Sequence, residues 1–181
     1  GDCFGFIGPN GAGKTTTIKI LATLLKPSWG EARIDGNVVG YQNPAIRPKI
    51  GYVPDFMGAY DDMVVYEYLE FFARAYGFRG ASRREAVERV LDFTELGPLA
   101  SKPIDTLSKG MSQRLCLGRT LIHDPEVLIL DEPAAGMNPQ ETRELDTLIL
   151  KIRDSRNLTV LLIEHDMSIV MRLSERILVM D

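Results

Sequence analysis

Hydrophobic and polar positions follow two rhythms along this chain. Apolar runs at residues 4–7, 127–130 and 160–163 predict buried strands, and a closing run at 177–181 predicts another strand. Residues 49–53 predict another strand, closed by Pro54-Asp55, and residues 31–36 alternate and end on Asp35-Gly36, a strand and turn signal. Helical spacing takes over elsewhere. Ile18, Leu21 and Leu25 predict a helix over 14–25. Val65, Tyr68, Leu69, Phe72 and Tyr76 predict one over 64–76. A capping box at Ser82-Arg83-Arg84-Glu85 opens a helix that runs to about 95. Met111, Leu115, Gly118 and Ile122 predict a further helix with Ser108 as its N-cap. Leu145, Leu148, Ile149 and Ile152 lie inward on a helix over 140–155, and a short helix starts at Met167. The aromatic stripe at 68, 72 and 76 is read as core or as a partner surface.

Strands alternate with helices at both ends, whereas residues 60–105 carry no strand signal. The expected fold is therefore α/β, with a mostly parallel sheet and an inserted α-helical subdomain. The core is expected over 1–59 and 124–181, and the helical subdomain over about 60–123, including the helix after Ser108.

The chemistry concentrates at Gly8-Pro9-Asn10-Gly11-Ala12-Gly13-Lys14-Thr15, which fits G-x-x-x-x-G-K-[ST], the phosphate-binding loop of nucleotide hydrolases, and makes the expected α/β fold that of a phosphate-loop (P-loop) NTPase. A polyphosphate needs a ring of donors. The amides of Gly11, Ala12, Gly13, Lys14 and Thr15 can all turn inward only in a tight loop, which glycine permits. Lys14 brings a positive charge to the β and γ phosphates, Thr15 offers a hydroxyl to Mg²⁺, and the following helix aims its positive end at the same place. Asp131 and Glu132 end a buried strand, where open α/β sheets place their chemistry. Asp131 is expected to hold Mg²⁺ and Glu132 to act as general base on water. His165 ends a second buried strand on the same sheet edge.

Composition narrows the picture only a little. The chain has 181 residues, is 45% hydrophobic and 25% charged, and carries a net charge of −4. That is ordinary for a globular domain and gives no support to a function built on nucleic-acid phosphates. Two cysteines, Cys3 and Cys116, suggest a reducing compartment without a disulfide framework. No apolar run approaches the roughly 18 residues of a membrane span, and no signal peptide is visible. The chain opens almost directly on the phosphate-loop strand and closes on another strand, so it is expected to be a piece of a longer protein.

With these residues in order, the chain resembles the ATP-binding cassette of ABC transporters over nearly its whole length. Leu107-Ser108-Lys109-Gly110-Met111 stands where that family has Leu-Ser-Gly-Gly-Gln. Leu128 to Pro133 match its acidic strand. Ala135 to Pro139 fall at the loop that crosses to a partner cassette, and His165 falls at its switch histidine. The run Gly8 to Thr17, with Tyr66-Glu67-Tyr68-Leu69, is similar to the cassettes of ABC-2-type exporters.

The resemblance implies ATP and Mg²⁺ as ligands. It places Gly8, Asn10, Gly11, Ala12, Gly13, Lys14, Thr15 and Thr16 on the nucleotide, Thr15, Asp55 and Asp131 on the metal, and Glu132 and His165 in catalysis. It implies a head-to-tail dimer with a second cassette, whose Ser108 and Gly110 complete the γ-phosphate site in trans. A transmembrane permease domain, no nucleic-acid partner and a peripheral place on the cytoplasmic side of the cell membrane complete the expectation. Four residues depart from the family pattern: Asp55 for Gln, Lys109 and Met111 in the signature, and Asn138 for Asp. The adenine-stacking aromatic is expected upstream of residue 1. A soluble ABC ATPase acting on ribosomes or nucleic acid, and a module that binds ATP without hydrolysis, are the alternative readings.

Overall fold

An unbroken apolar strand is satisfied only where both of its faces are covered. The chain meets that need with a five-stranded sheet whose neighbours all run parallel, in the order β4-β5-β6-β1-β7. The strands are β1 (Cys3–Ile7), β4 (Ile50–Val53), β5 (Val127–Asp131), β6 (Thr159–Ile163) and β7 (Arg176–Val179). A separate hairpin pairs β2 (Arg33–Ile34) with β3 (Asn37–Val38). Its turn residues Asp35 and Gly36 both have positive φ, at 48° and 75°, as a type I′ turn requires.

The computed structural model describes residues 1–55, 57–58 and 62–181. They form two compact units. The first comprises Gly1–Asp55, Pro125–Pro133 and Ile149–Asp181; the second comprises Phe56–Asp124 and Ala134–Leu148. The expected boundary at 59–60 lies outside the described residues. Residues 134–148, placed in the core by the sequence, group with the helical unit. The reason is local: Glu141 bonds Ser108 and the Gly110 amide.

In the first unit, α1 (Lys14–Leu21) packs Ile18 and Ala22 on Ile129 and Ile163. It stops four residues short of its expected end, and Leu25 is exposed. Thr23 adopts a left-handed φ of 62°, the Leu24 amide reaches back to Lys19 O, and the Thr23 amide reaches Ile20 O. This is a Schellman cap with threonine where glycine is usual, so no residue type announces it. The remaining helices here are α2 (Asn43–Ile46) and α7 (Met167–Leu173). α6 (Pro139–Arg156) contributes its last turns, with Ile149 and Ile152 buried.

The second unit holds α3 (Val65–Ala75), α4 (Gly80–Phe93) and α5 (Lys109–Leu121). The helix expected to open at Ser82 opens at Gly80. Ser82 lies in the first turn, and its hydroxyl donates to Arg79 O at 2.8 Å. The aromatic stripe is a packing surface that grades outward. Tyr68 is fully buried and its hydroxyl accepts from Arg119, whereas Tyr76 is partly exposed and stacks on His123 at 4.3 Å.

Helices α4 and α5 meet at Gly118, where an added Cβ would lie 2.9 Å from Val90 Cγ1 and 3.3 Å from Thr94 Cγ2. Val90 and Thr94 are fully buried and have no room to retreat. Gly118→Val is therefore expected to destabilise the fold by about 1–3 kcal/mol through overpacking. Denaturant unfolding measures this, and an unchanged midpoint would show that the two helices separate freely.

Candidate functional site

The phosphate loop begins where β1 runs out beside β7. The Met180 amide still donates to Ile7 O at 2.9 Å, and a Cβ on Gly8 would lie 2.3 Å from Met180 O. Gly8 is thus a glycine because a backbone passes against it. Gly11 and Gly13 have φ of 90° and 92°, and Gly13 is the N-cap of α1 without a side chain to cover the helix end. The first-turn amides of α1 have no partner within the helix and face outward along its axis. The Ala12 amide closes a turn on Pro9 O at 3.3 Å, so in this structure it does not join the inward ring.

Lys14 is only 6% exposed. Its ammonium donates to Gly8 O at 2.6 Å and Pro9 O at 2.9 Å. An ammonium carries three donors. The loop's own carbonyls thus orient the charge and use two of them. A cavity of about 260 Å³ opens here, lined by Asn10, Gly11, Gly13, Lys14, Thr15 and Thr16 together with Glu132 and His165. Eight residues singled out in the sequence therefore share one concavity. Gly8 and Ala12 shape the loop without lining it.

The sheet order explains the meeting. β6 lies between β1 and β5, so the residues after β5 and β6 emerge on the edge that carries the loop. Glu132 leaves β5 through a left-handed φ of 48°, and its amide still donates to Ile163 O at 3.0 Å. Its Oε1 lies 2.7 Å from His165 Nε2. Asp166, next in the chain, caps α7 by accepting from the Ser168 amide at 2.8 Å; the Ser168 side-chain hydrogen bond above all, and then that amide, hold its carboxyl below the usual range. His165 is in this way pinned between a strand end and a helix start.

Asp131 is 4% exposed and accepts from the Tyr52 hydroxyl at 3.0 Å. Burial pushes its carboxyl above the usual range. The Tyr52 bond opposes the rise, the charges of Asp55 and Glu132 add to it, and Lys19 opposes it weakly. Tyr52 is a site residue that the sequence reading treated only as part of a strand; a polar ring in a buried strand beside the acidic one was its signal. Asp55 is exposed, and its charge reaches Asp131. Among the described residues no group of three or more histidine, cysteine or acidic side chains could hold a metal by itself. A buried carboxylate short of positive charge, with the Thr15 hydroxyl at the loop, suits Mg²⁺, which binds one or two carboxylates and takes its other ligands from phosphate and water.

The second unit carries the signature segment. Ser108 caps α5 by accepting from the Met111 amide at 3.3 Å. Its hydroxyl donates to Glu141 Oε1 at 2.8 Å, and the Gly110 amide donates to the same oxygen at 3.3 Å. Asn138 caps α6: its Oδ1 accepts from the Gln140 and Glu141 amides, both at 3.0 Å, and Glu141 Oε2 accepts from the Asn138 amide at 3.2 Å. This is a reciprocal capping box. Its sequence signal is Asn138-Pro139-Gln140-Glu141, a capping-box pattern. Asn caps as well as Asp does, so the departure at 138 leaves the helix start intact.

The raised Asp131 carboxyl has a stability consequence. The folded state binds this proton more tightly than the unfolded chain. The resulting stabilisation is complete below the unfolded value of 3.8 and is lost as pH rises through the raised one. At neutral pH, Asp131→Asn in the nucleotide-free protein is expected to melt higher than wild type, with the margin closing toward acid pH. Thermal melts across pH check this; a lower melting point for the variant at neutral pH would show that the charge is already compensated.

Comparison with known proteins agrees with this geometry. A profile of the family described as "ABC transporter" matches residues 1–135. Proteins named "Nod factor export ATP-binding protein I" are 40% identical in Cupriavidus metallidurans and 39% identical in Paraburkholderia xenovorans, over the whole chain. The chain spans 59% of the length of each. Among solved structures, cbiO1 of Clostridium perfringens, described as part of the ABC transporter complex cbiONQ, superposes with a TM-score of 0.87 at 29% identity, over 99% of this chain and 73% of that one. The ATP-binding cassette MJ0796, in a dimeric post-hydrolysis state bound to ADP and Pi, superposes with a TM-score of 0.85 at 26% identity, over 99% and 81%. The phosphate loop, the acidic strand end and the sheet order that joins them belong to a known design, and this chain is a member of the ABC transporter family, in its ATP-binding cassette.

Proposed function

We propose that this chain binds and hydrolyses ATP to drive export through a transmembrane partner. The observation that carries the reading is the single cavity that Lys14, Thr15, Glu132 and His165 line together. The loop amides and Lys14 would bind and orient the triphosphate. Thr15 and Asp131 would hold Mg²⁺, with Asp55 within electrostatic reach; the bound ion supplies neutralising charge on the phosphate oxygens. Glu132 would accept the proton of the attacking water. His165, at 2.7 Å from it, would hold that carboxylate in place.

In the dimer reading, Ser108 and Gly110 of a second cassette, arranged head to tail, complete the γ-phosphate site. The dimeric state of the MJ0796 cassette supports this. The relatives' name supports export, and the complex named for cbiO1 supports a multi-component transporter. Among the described residues no helix is long and apolar enough to cross a membrane, so another segment or chain would provide the span, with the cassette peripheral on the cytoplasmic face. The net charge of −4 weighs against the alternative of a nucleic-acid-bound ATPase.

The decisive test is Glu132→Gln in the full-length protein. Loss of a positioned base is expected to lower hydrolysis by about 10²–10⁴-fold while ATP binding persists. Steady-state phosphate release and nucleotide binding read the two effects separately. Hydrolysis at close to the wild-type rate would remove Glu132 from the role.

A further inference from the structure

The signature segment is not open. One carboxylate oxygen, Glu141 Oε1, accepts both the Ser108 hydroxyl and the Gly110 amide, at 2.8 and 3.3 Å. These are the two donors that the dimer reading assigns to a phosphate of the partner's nucleotide. The fit is close: a Cβ on Gly110 would lie 2.9 Å from the Glu141 carboxyl, so glycine is what lets the acid approach this backbone. The Ser108 bond, above all, holds the Glu141 carboxyl below the usual range, followed by the Asn138 amide, so it sits here as an anion. A carboxylate on a hydroxyl and an amide at the start of a 13-residue helix is the arrangement a phosphate oxygen would take.

We infer that Glu141 is an internal stand-in for phosphate, an autoinhibitory contact that must leave before the signature can grip nucleotide on a partner cassette. This rests on the dimer reading above. Two anions cannot share these donors, and their charges repel. Glu141 has somewhere to go. Its Oε2 already accepts from the Asn138 amide, and the charge of Arg114, which is held by Glu144, reaches it. Asn138 belongs to the loop that the family resemblance assigns to the partner contact, so strain on that loop would reach the carboxylate directly. ATP would thus have to supply the binding free energy that displaces Glu141, and the contact would set the ATP level at which cassettes close.

The test is ATP-driven dimerisation of the full-length protein carrying Glu132→Gln, which holds the nucleotide, with and without Glu141→Gln. Gln keeps the capping geometry of α6 and removes the charge; Glu141→Ala removes both, and thermal melts report whether α6 tolerates each change. With the charge-assisted bonds gone, half-maximal dimer formation is expected at about tenfold lower ATP. ATP affinity measured below the dimerisation concentration is expected to be unchanged, because Glu141 does not line the phosphate-loop cavity. Equal or weaker dimerisation of both folded variants overturns the proposal and makes Glu141 a support of the signature. A protein that binds ATP without dimerising, with or without Glu141, overturns the dimer reading and the proposal with it.

Discussion

The first unit depends on the parallel pairing of β1 with β6 on one side and β7 on the other. It presses the Met180 carbonyl against Gly8 and leaves no space there for a side chain. The loop must turn at that point, and it does so through two further left-handed glycines before α1 begins. Because β6 also pairs with β5, the same sheet brings Glu132 and His165 to the loop's edge. A change in the register of β6 by one residue would move His165 away from Glu132.

Two helix starts in this chain meet the same electrostatic problem in different ways. The start of α1 is left uncovered by Gly13 and opens on a cavity, with Lys14 held over the loop carbonyls. The start of α5 is already satisfied from within, by Glu141. Orphan amides and the helix dipole attract an anion in both cases. An uncovered start is ready for ligand; a covered one must first exchange partners. Under the proposed dimer reading, that difference would let nucleotide binding to one cassette and engagement of a second be separate events with separate ATP requirements.

The carboxylates carry the opposite strain. Asp131 is buried near Asp55 and Glu132, with Tyr52 as its donor and Lys19 as a weak positive influence. Such a group favours a cation or a proton over solitude. The same feature that makes the nucleotide-free fold less comfortable at neutral pH would, in the proposed function, suit it to a metal-bearing ligand.

Much of this was legible in the residues, for physical reasons. Strands buried on both faces read as apolar runs, and the phosphate loop can be built from few residue types, so the sheet and Gly8 to Thr15 stood out. The acids after Leu130 stood out because charge at the end of a buried run is costly without a role. Helix ends were less legible. Thr23 adopts a conformation normally announced by glycine, and Ser82 lies inside a helix that its pattern seemed to begin. Tyr52 beside Asp131, and above all Glu141 on Ser108 and Gly110, were decided only by the tertiary structure. A motif specifies which donors a ligand needs. Which group of the chain already occupies them is settled by a partner 31 and 33 residues away, and sequence spacing does not carry that information.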